Sequence, residues 1–228
     1  VRNTIAEWFG VEQNRLSPDA GFIFSAWIRA GGEYEFIEGN LNLWLAHGDN
    51  AIKNGTSYLF NAFSRPPNKK PLPESLTPHA RAWVQAHEQE FEAGSVIGPL
   101  IRTGPLDEST ISAIIRWCSR YSAHLDSMFR LRDLLWRQKG ISALEVIPVA
   151  EKIMESRSHS ENWDWFQQTA VVDLLSFLDA LINREDETDW STRLGIIAGK
   201  VLPNLPNFEQ LIGGSLPSQR EHLPKIGR

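Results

Sequence analysis

The chain has 228 residues and a mass of 25.8 kDa, with 42% hydrophobic and 22% charged residues. Those proportions exclude a wholly disordered chain and supply enough apolar material for a core. A net charge of −5 and a pI near 5.7 exclude a surface that is basic throughout, and the single cysteine excludes an intrachain disulfide.

The chain opens Val1-Arg2-Asn3, and no basic segment followed by an apolar run stands near the start, so no signal peptide is expected. Ser17-Pro18-Asp19 reads as an N-cap with Pro at the first helical position, and Gly31-Gly32 stops that helix. Glu33–Phe36 alternates, but over too few residues for a strand. Leu43-Trp44-Leu45-Ala46-His47 lies in a second helix. Thr77-Pro78 repeats the opening signature before the helix Ala80–Phe91, and Gly104 and Gly140 repeat the stop. In Asp107–Tyr121, Ile111, Ile114, Ile115, Cys118 and Tyr121 recur at steps that put them on one helical face. Met128, Leu131, Leu134 and Leu135 continue the pattern.

Ala170–Ile182 is the longest strongly apolar region. Asp173 and Asp179 interrupt it, and it falls short of the roughly 20 apolar residues of a membrane span, so a buried helix is expected. Arg184-Glu185-Asp186-Glu187-Thr188-Asp189 reads as a solvated loop within residues 141–228, which hold the acidic excess. The segment from Pro203 on, with Pro206, Pro217 and Pro224, reads as an irregular tail.

An internal repeat underlies these elements. Ala20–Gly31, Gly55–Pro66, Ala93–Gly104 and Met128–Gly140 are each an apolar helix closed by a basic residue and a breaker, with Trp27, Phe63 and Ile101 in matching places. Between them stand Leu43–His47, Ala82–His87 and Arg116–Arg120, each with a Trp: Trp44, Trp83 and Trp117. Ile147–Glu155 with Trp163–Ile182, and Asp189–Leu202, continue the order. The expected fold is all-α: a right-handed α-solenoid or irregular helical-repeat array of about five antiparallel helix pairs. It covers residues 1–203 in units near 18–50, 51–90, 91–125, 126–160 and 161–203, with the tail at 204–228. Trp27, Trp44, Trp83 and Trp117 are expected as core wedges, and burial is also the expectation for Trp163, Trp165 and Trp190. The alternation of Ala-Trp-Ile-Arg-Ala-Gly-Gly with Leu-Trp-Leu-Ala-His resembles the divergent helical repeats of bacterial proteins, similar in outline to HEAT and TPR arrays over about residues 18–203. The resemblance implies a sensor or scaffold region, of the kind found beside catalytic domains in bacterial defence and signalling proteins. The TPR pattern itself is not met.

The chemistry-bearing residues are sparse. No phosphate-binding loop or dinucleotide fingerprint occurs, and Gly213-Gly214-Ser215 reads as a turn. The histidines at 47, 79, 87, 124, 159 and 222 show no metal-ligand spacing, so neither metal nor cofactor is expected. Cys118 lies on the apolar stripe and reads as a structural thiol. Arg81 and His87 have the Arg-x5-His spacing of helical ribonucleases of the HEPN type, where the pair would act around a scissile phosphate. The plainer reading is a surface Arg and a helix-end His, so no catalytic residue is assigned. Arg116, Arg120, Arg130, Arg132 and Arg137, with Lys139, form the densest basic group and are the expected partner-binding residues, lining a concave wall. Local ion pairs with Asp133 are their plain alternative. Arg65, Lys69 and Lys70 mark an exposed connection. The expected protein is a non-catalytic cytoplasmic scaffold or sensor that binds a protein partner, with nucleic acid as the second possibility and no membrane contact.

Overall fold

The computed structural model describes residues 2–64, 71–157, 164–185 and 188–202. Arg65, Lys69, Lys70, His159, Trp163, the side chains of Arg184–Asp189 and of Trp190, Gly213–Ser215, His222 and the Pro203 tail lie outside the described residues. The described chain is all-α, with no strand among those residues, and none of its described helices is long and apolar enough to cross a membrane. It divides into two compact units, Val1–Gly104 and Pro105–Arg228.

The first unit contains α1 (Arg2–Gly10), α2 (Glu12–Leu16), α3 (Ala20–Arg29), α4 (Tyr34–Leu45), α5 (Asn54–Ala62), α6 (Thr77–His87) and α7 (Ala93–Ile101). Helix α3 packs on α5 and α5 on α7, so neighbours in space are two helices apart in sequence. The close approach of α3 and α5 needs glycine: a Cβ on Gly21 would stand 2.8 Å from the Gly55 carbonyl carbon. The second unit contains α8 (Glu108–Arg120), α9 (Leu125–Arg137), α10 (Ala143–Arg157), α11 (Trp165–Glu185) and α12 (Thr188–Val201). There α10 touches both α8 and α12, and α9 packs on α11.

Local signals explain four of the helix ends. Asp107 caps α8, its carboxylate accepting from the Thr110 N–H at 2.8 Å. Gly31, Gly104 and Gly140 carry φ of 80°, 126° and 79°, the left-handed turn that only glycine takes cheaply. Ser17 behaves differently from the expectation. Helix α3 starts at Ala20, and the Ser17 hydroxyl accepts from the Asp19 N–H in a local turn instead of capping the helix. Thr77 likewise begins α6, continuing a 3-10 turn over Glu74–Leu76, and its hydroxyl donates to the Pro73 carbonyl.

Burial follows the apolar stripes. Ile111, Ile114, Ile115 and Cys118 are buried on α8, and Met128, Leu131 and Leu134 on α9. Trp44, Trp83 and Trp117 are fully buried. The matching place on the first helices is filled by Ile28, Phe63 and Ile101, all buried, whereas Trp27 is half-buried one residue off that register. Trp27 instead donates its indole N–H to the Glu33 carbonyl at 2.8 Å and covers Gly32. Trp165 corrects the expectation of burial: it is 51% exposed beside Phe166 at 76%. It is the first residue of α11, and side chains of a helix's first turn lean back beyond its end, where no turn of the same helix covers them.

The tertiary side-chain hydrogen bonds between helical segments share one length scale. Trp44 to Ser17 spans 27 residues, Ser25 to Tyr58 spans 33, Tyr34 to Ser75 spans 41, and Arg102 to Phe63 spans 39. In the second unit Gln138 accepts from Leu106 across 32 residues, Lys152 donates to Ser119 across 33, and Arg193 to Glu151 across 42.

Candidate functional site: the basic helices of the second unit

The five arginines expected to line one wall occupy three settings. Arg116 and Arg120 are four residues apart on α8 and both exposed, so they lie on one face of that helix. Arg130 and Arg137 are seven apart on α9 and share one flank of that helix. Arg132 is two residues from Arg130, which puts it about 200° around the helix axis. Its guanidinium lies 2.6 Å from the Asp133 carboxylate, 4.0 Å from that of Asp173 on α11, and 5.4 Å from the centre of the Phe129 ring. It is an ion-pair and packing residue between α9 and α11. Arg137 is exposed and stacks at 5.0 Å on the exposed Trp136 ring.

Two further cations bond to the end of α8 and the turn that follows it. Lys152 of α10 donates to the Ser119 carbonyl at 2.7 Å, and Arg157 donates to the Ala123 carbonyl at 3.1 Å. The Ser119 carbonyl, in the last turn of α8, lacks an intrahelical donor and carries the negative end of the dipole, which favours Lys152, whereas Ala123 lies in the turn that follows the helix. Partial burial lowers the Arg157 pKa below its usual value. Neither residue stood out in the sequence, because each pairing crosses a whole helical pair. The electrostatics at Asp173 run against simple pairing: burial raises its carboxyl pKa, Arg132 pulls it down, and Asp133 raises it again, with the net shift upward.

The remaining candidates resolve into structural roles. Cys118 is fully buried, and burial pushes its thiol up to about 12, against a small opposing pull from Arg130. A thiol so far above neutral pH is no nucleophile. His87 shares its Nδ1 hydrogen with the Trp83 carbonyl at 2.9 Å and stacks on the Trp83 ring at 4.1 Å. Six helical residues separate it from Arg81, or about 120° around α6. No group of three or more His, Cys, Asp or Glu suited to a metal ion occurs among the described residues. No protein-family model, curated protein or solved structure matches this chain.

Proposed function

We propose that the chain is a non-catalytic helical-repeat scaffold, an α-solenoid that binds an acidic segment of a protein partner along its basic helices. The observation that carries this reading is the common span of its tertiary hydrogen bonds, 27 to 42 residues in those described. Bonds of that reach tie each helical pair to the next one, as expected where repeats touch only their neighbours. Arrays of this kind present long surfaces, and here Arg116 and Arg120 on α8 and Arg130 and Arg137 on α9 supply planar donors suited to carboxylates. Arg132 is left out of the binding set because Asp133 and Asp173 engage it.

The test is affinity capture from the native host with the wild-type chain and with Arg116→Glu, Arg120→Glu. The wild type should retain a protein partner that the double variant loses by about tenfold, as expected when two contact charges are reversed. The circular dichroism of the variant should be unchanged. Equal recovery by both proteins refutes the reading, and recovery that nuclease treatment abolishes replaces the protein partner with nucleic acid.

A further inference from the structure

The acidic and basic side chains of α10 separate to different neighbours. Glu151 accepts from the Arg193 guanidinium of α12. Glu155, one turn on, lines a narrow gap with Ile197, Lys200 and Val201 of that same helix. Lys152 follows Glu151 in sequence and so stands about 100° around the axis. It reaches the opposite neighbour, its ammonium donating to the Ser119 carbonyl of α8 at 2.7 Å. The carboxylates on either side of Lys152 are thus turned toward α12, and its cation toward α8.

That bond sets the Lys152 ammonium against the last turn of α8, the turn that carries Arg120. Arg116 stands one turn earlier, ~6 Å along the axis. All three side chains are exposed. The acidic residues of this helix, Glu108 and the capping Asp107, stand at its other end, about three turns from Arg120. An ammonium has three donors, and the Ser119 carbonyl takes one.

A carboxylate carries one charge on two oxygens, and a single guanidinium matches it. A phosphate monoester carries about −1.5 to −2 charges on three oxygens. Three cations from two helices, gathered over one turn, match the phosphate. We propose that the acidic segment bound by the basic helices is phosphorylated, and that Arg116, Arg120 and Lys152 hold its phosphoserine or phosphothreonine. This inference rests on the scaffold reading and adds Lys152 to the residues that reading uses. Clusters of this kind read phosphorylated segments elsewhere. A nucleic-acid strand is a poorer match, because its phosphodiesters carry one charge each and spread them along the strand, and the chain's own net charge is −5.

The test uses an N-acetylated, C-amidated pentapeptide with phosphoserine at its centre, and counterparts with serine and with glutamate. Each is titrated into the full 15N-labelled chain, and the amide resonances of Arg116, Arg120, Tyr121 and Lys152 are followed. The phosphoserine peptide should shift these signals and saturate, and the glutamate peptide should bind about tenfold more weakly. Lys152→Gln, which keeps an N–H donor and loses the charge, should lower the phosphoserine affinity about fivefold. Lys53→Gln, at an exposed lysine of the first unit, should leave it unchanged. Absence of saturable shifts, equal binding of the phosphoserine and glutamate peptides, an unaltered affinity in Lys152→Gln, or equally tight binding of a thymidine pentanucleotide without terminal phosphate overturns the proposal. Capture from a phosphatase-treated lysate separates it from the scaffold reading. A partner that the wild type still retains after that treatment, and that Arg116→Glu, Arg120→Glu loses, overturns the phosphate and leaves the scaffold standing.

Discussion

Trp44→Phe and Trp83→Phe replace the same ring at two fully buried positions, yet their costs should differ widely. Each substitution loses apolar contact and opens a small cavity, together about 1–2 kcal/mol. At position 44 the indole N–H also donates to the Ser17 carbonyl at 2.8 Å, and the ring tip fills the space beside Gly21 and Gly55. Phenylalanine removes one of that carbonyl's two donors, leaving it the Ala20 N–H at 3.0 Å, a further ~1 kcal/mol. Trp83 is the reverse case, because its indole nitrogen is buried with no hydrogen-bond partner. Removing an unsatisfied donor returns about 1 kcal/mol, and a phenyl ring keeps a face for His87 to stack on. Trp44→Phe should therefore destabilise by ~2–3 kcal/mol and Trp83→Phe by less than ~1 kcal/mol. Both positions lie in Val1–Gly104, so urea unfolding followed by far-ultraviolet circular dichroism compares them within one unit. If Trp83→Phe proves as costly as Trp44→Phe, the assignment of those two indole hydrogens is wrong.

Gly21→Ala should destabilise by ~2–3 kcal/mol, because its Cβ meets the Gly55 backbone; Gly39→Ala, in the same unit with open space around it, should stabilise by ~0.5–1 kcal/mol, and thermal melts of both check the pair. Cys118 should resist an aromatic disulfide reagent until the second unit unfolds, so its labelling rate should rise with denaturant in step with the loss of helix. The same thiol loses its proton near pH 9 when unfolded and near 12 when folded, so its contribution to stability is complete below about 9 and disappears between those values; Cys118→Ala should flatten that part of the stability curve. Arg132→Ala should cost ~1–2 kcal/mol at pH 7, since it leaves the half-buried Asp133 and Asp173 carboxylates unneutralised. Removing the cation raises the folded-state pKa of Asp173 further above its unfolded value, so the variant's deficit should shrink as pH falls through the carboxylate range, which unfolding at pH 7 and pH 4 measures.

The sequence carried the features that depend on neighbours within a helix. The α8 stripe of Ile111, Ile114, Ile115 and Cys118, the Asp107 start and the stops at Gly31, Gly104 and Gly140 all follow from helical spacing and backbone sterics, which act over a few residues. The three buried tryptophans were legible because they recur in step with the helices that follow them. What the sequence hid depends on partners more than 30 residues away. Lys152 and Arg157 gain their roles from carbonyls 33 and 34 residues earlier, and Arg132 leaves the basic group because Asp173 arrives from α11. An open cavity joins Gly31–Glu35 to Pro71–Pro73, two turns that show no relation in composition. The exposure of Trp165 depends on its place at a helix start, which apolar periodicity does not reveal.

The proposed scaffold requires that each helical pair touch only the next. Methyl-to-methyl nuclear Overhauser contacts in the full chain test it directly. The account predicts contacts from Ala20 and Ile28 of α3 to Leu59 and Ala62 of α5, and from α5 to Ile97 and Ile101 of α7. Contacts from α3 directly to α7, or from Ile114 of α8 to Ile197 of α12, would contradict it.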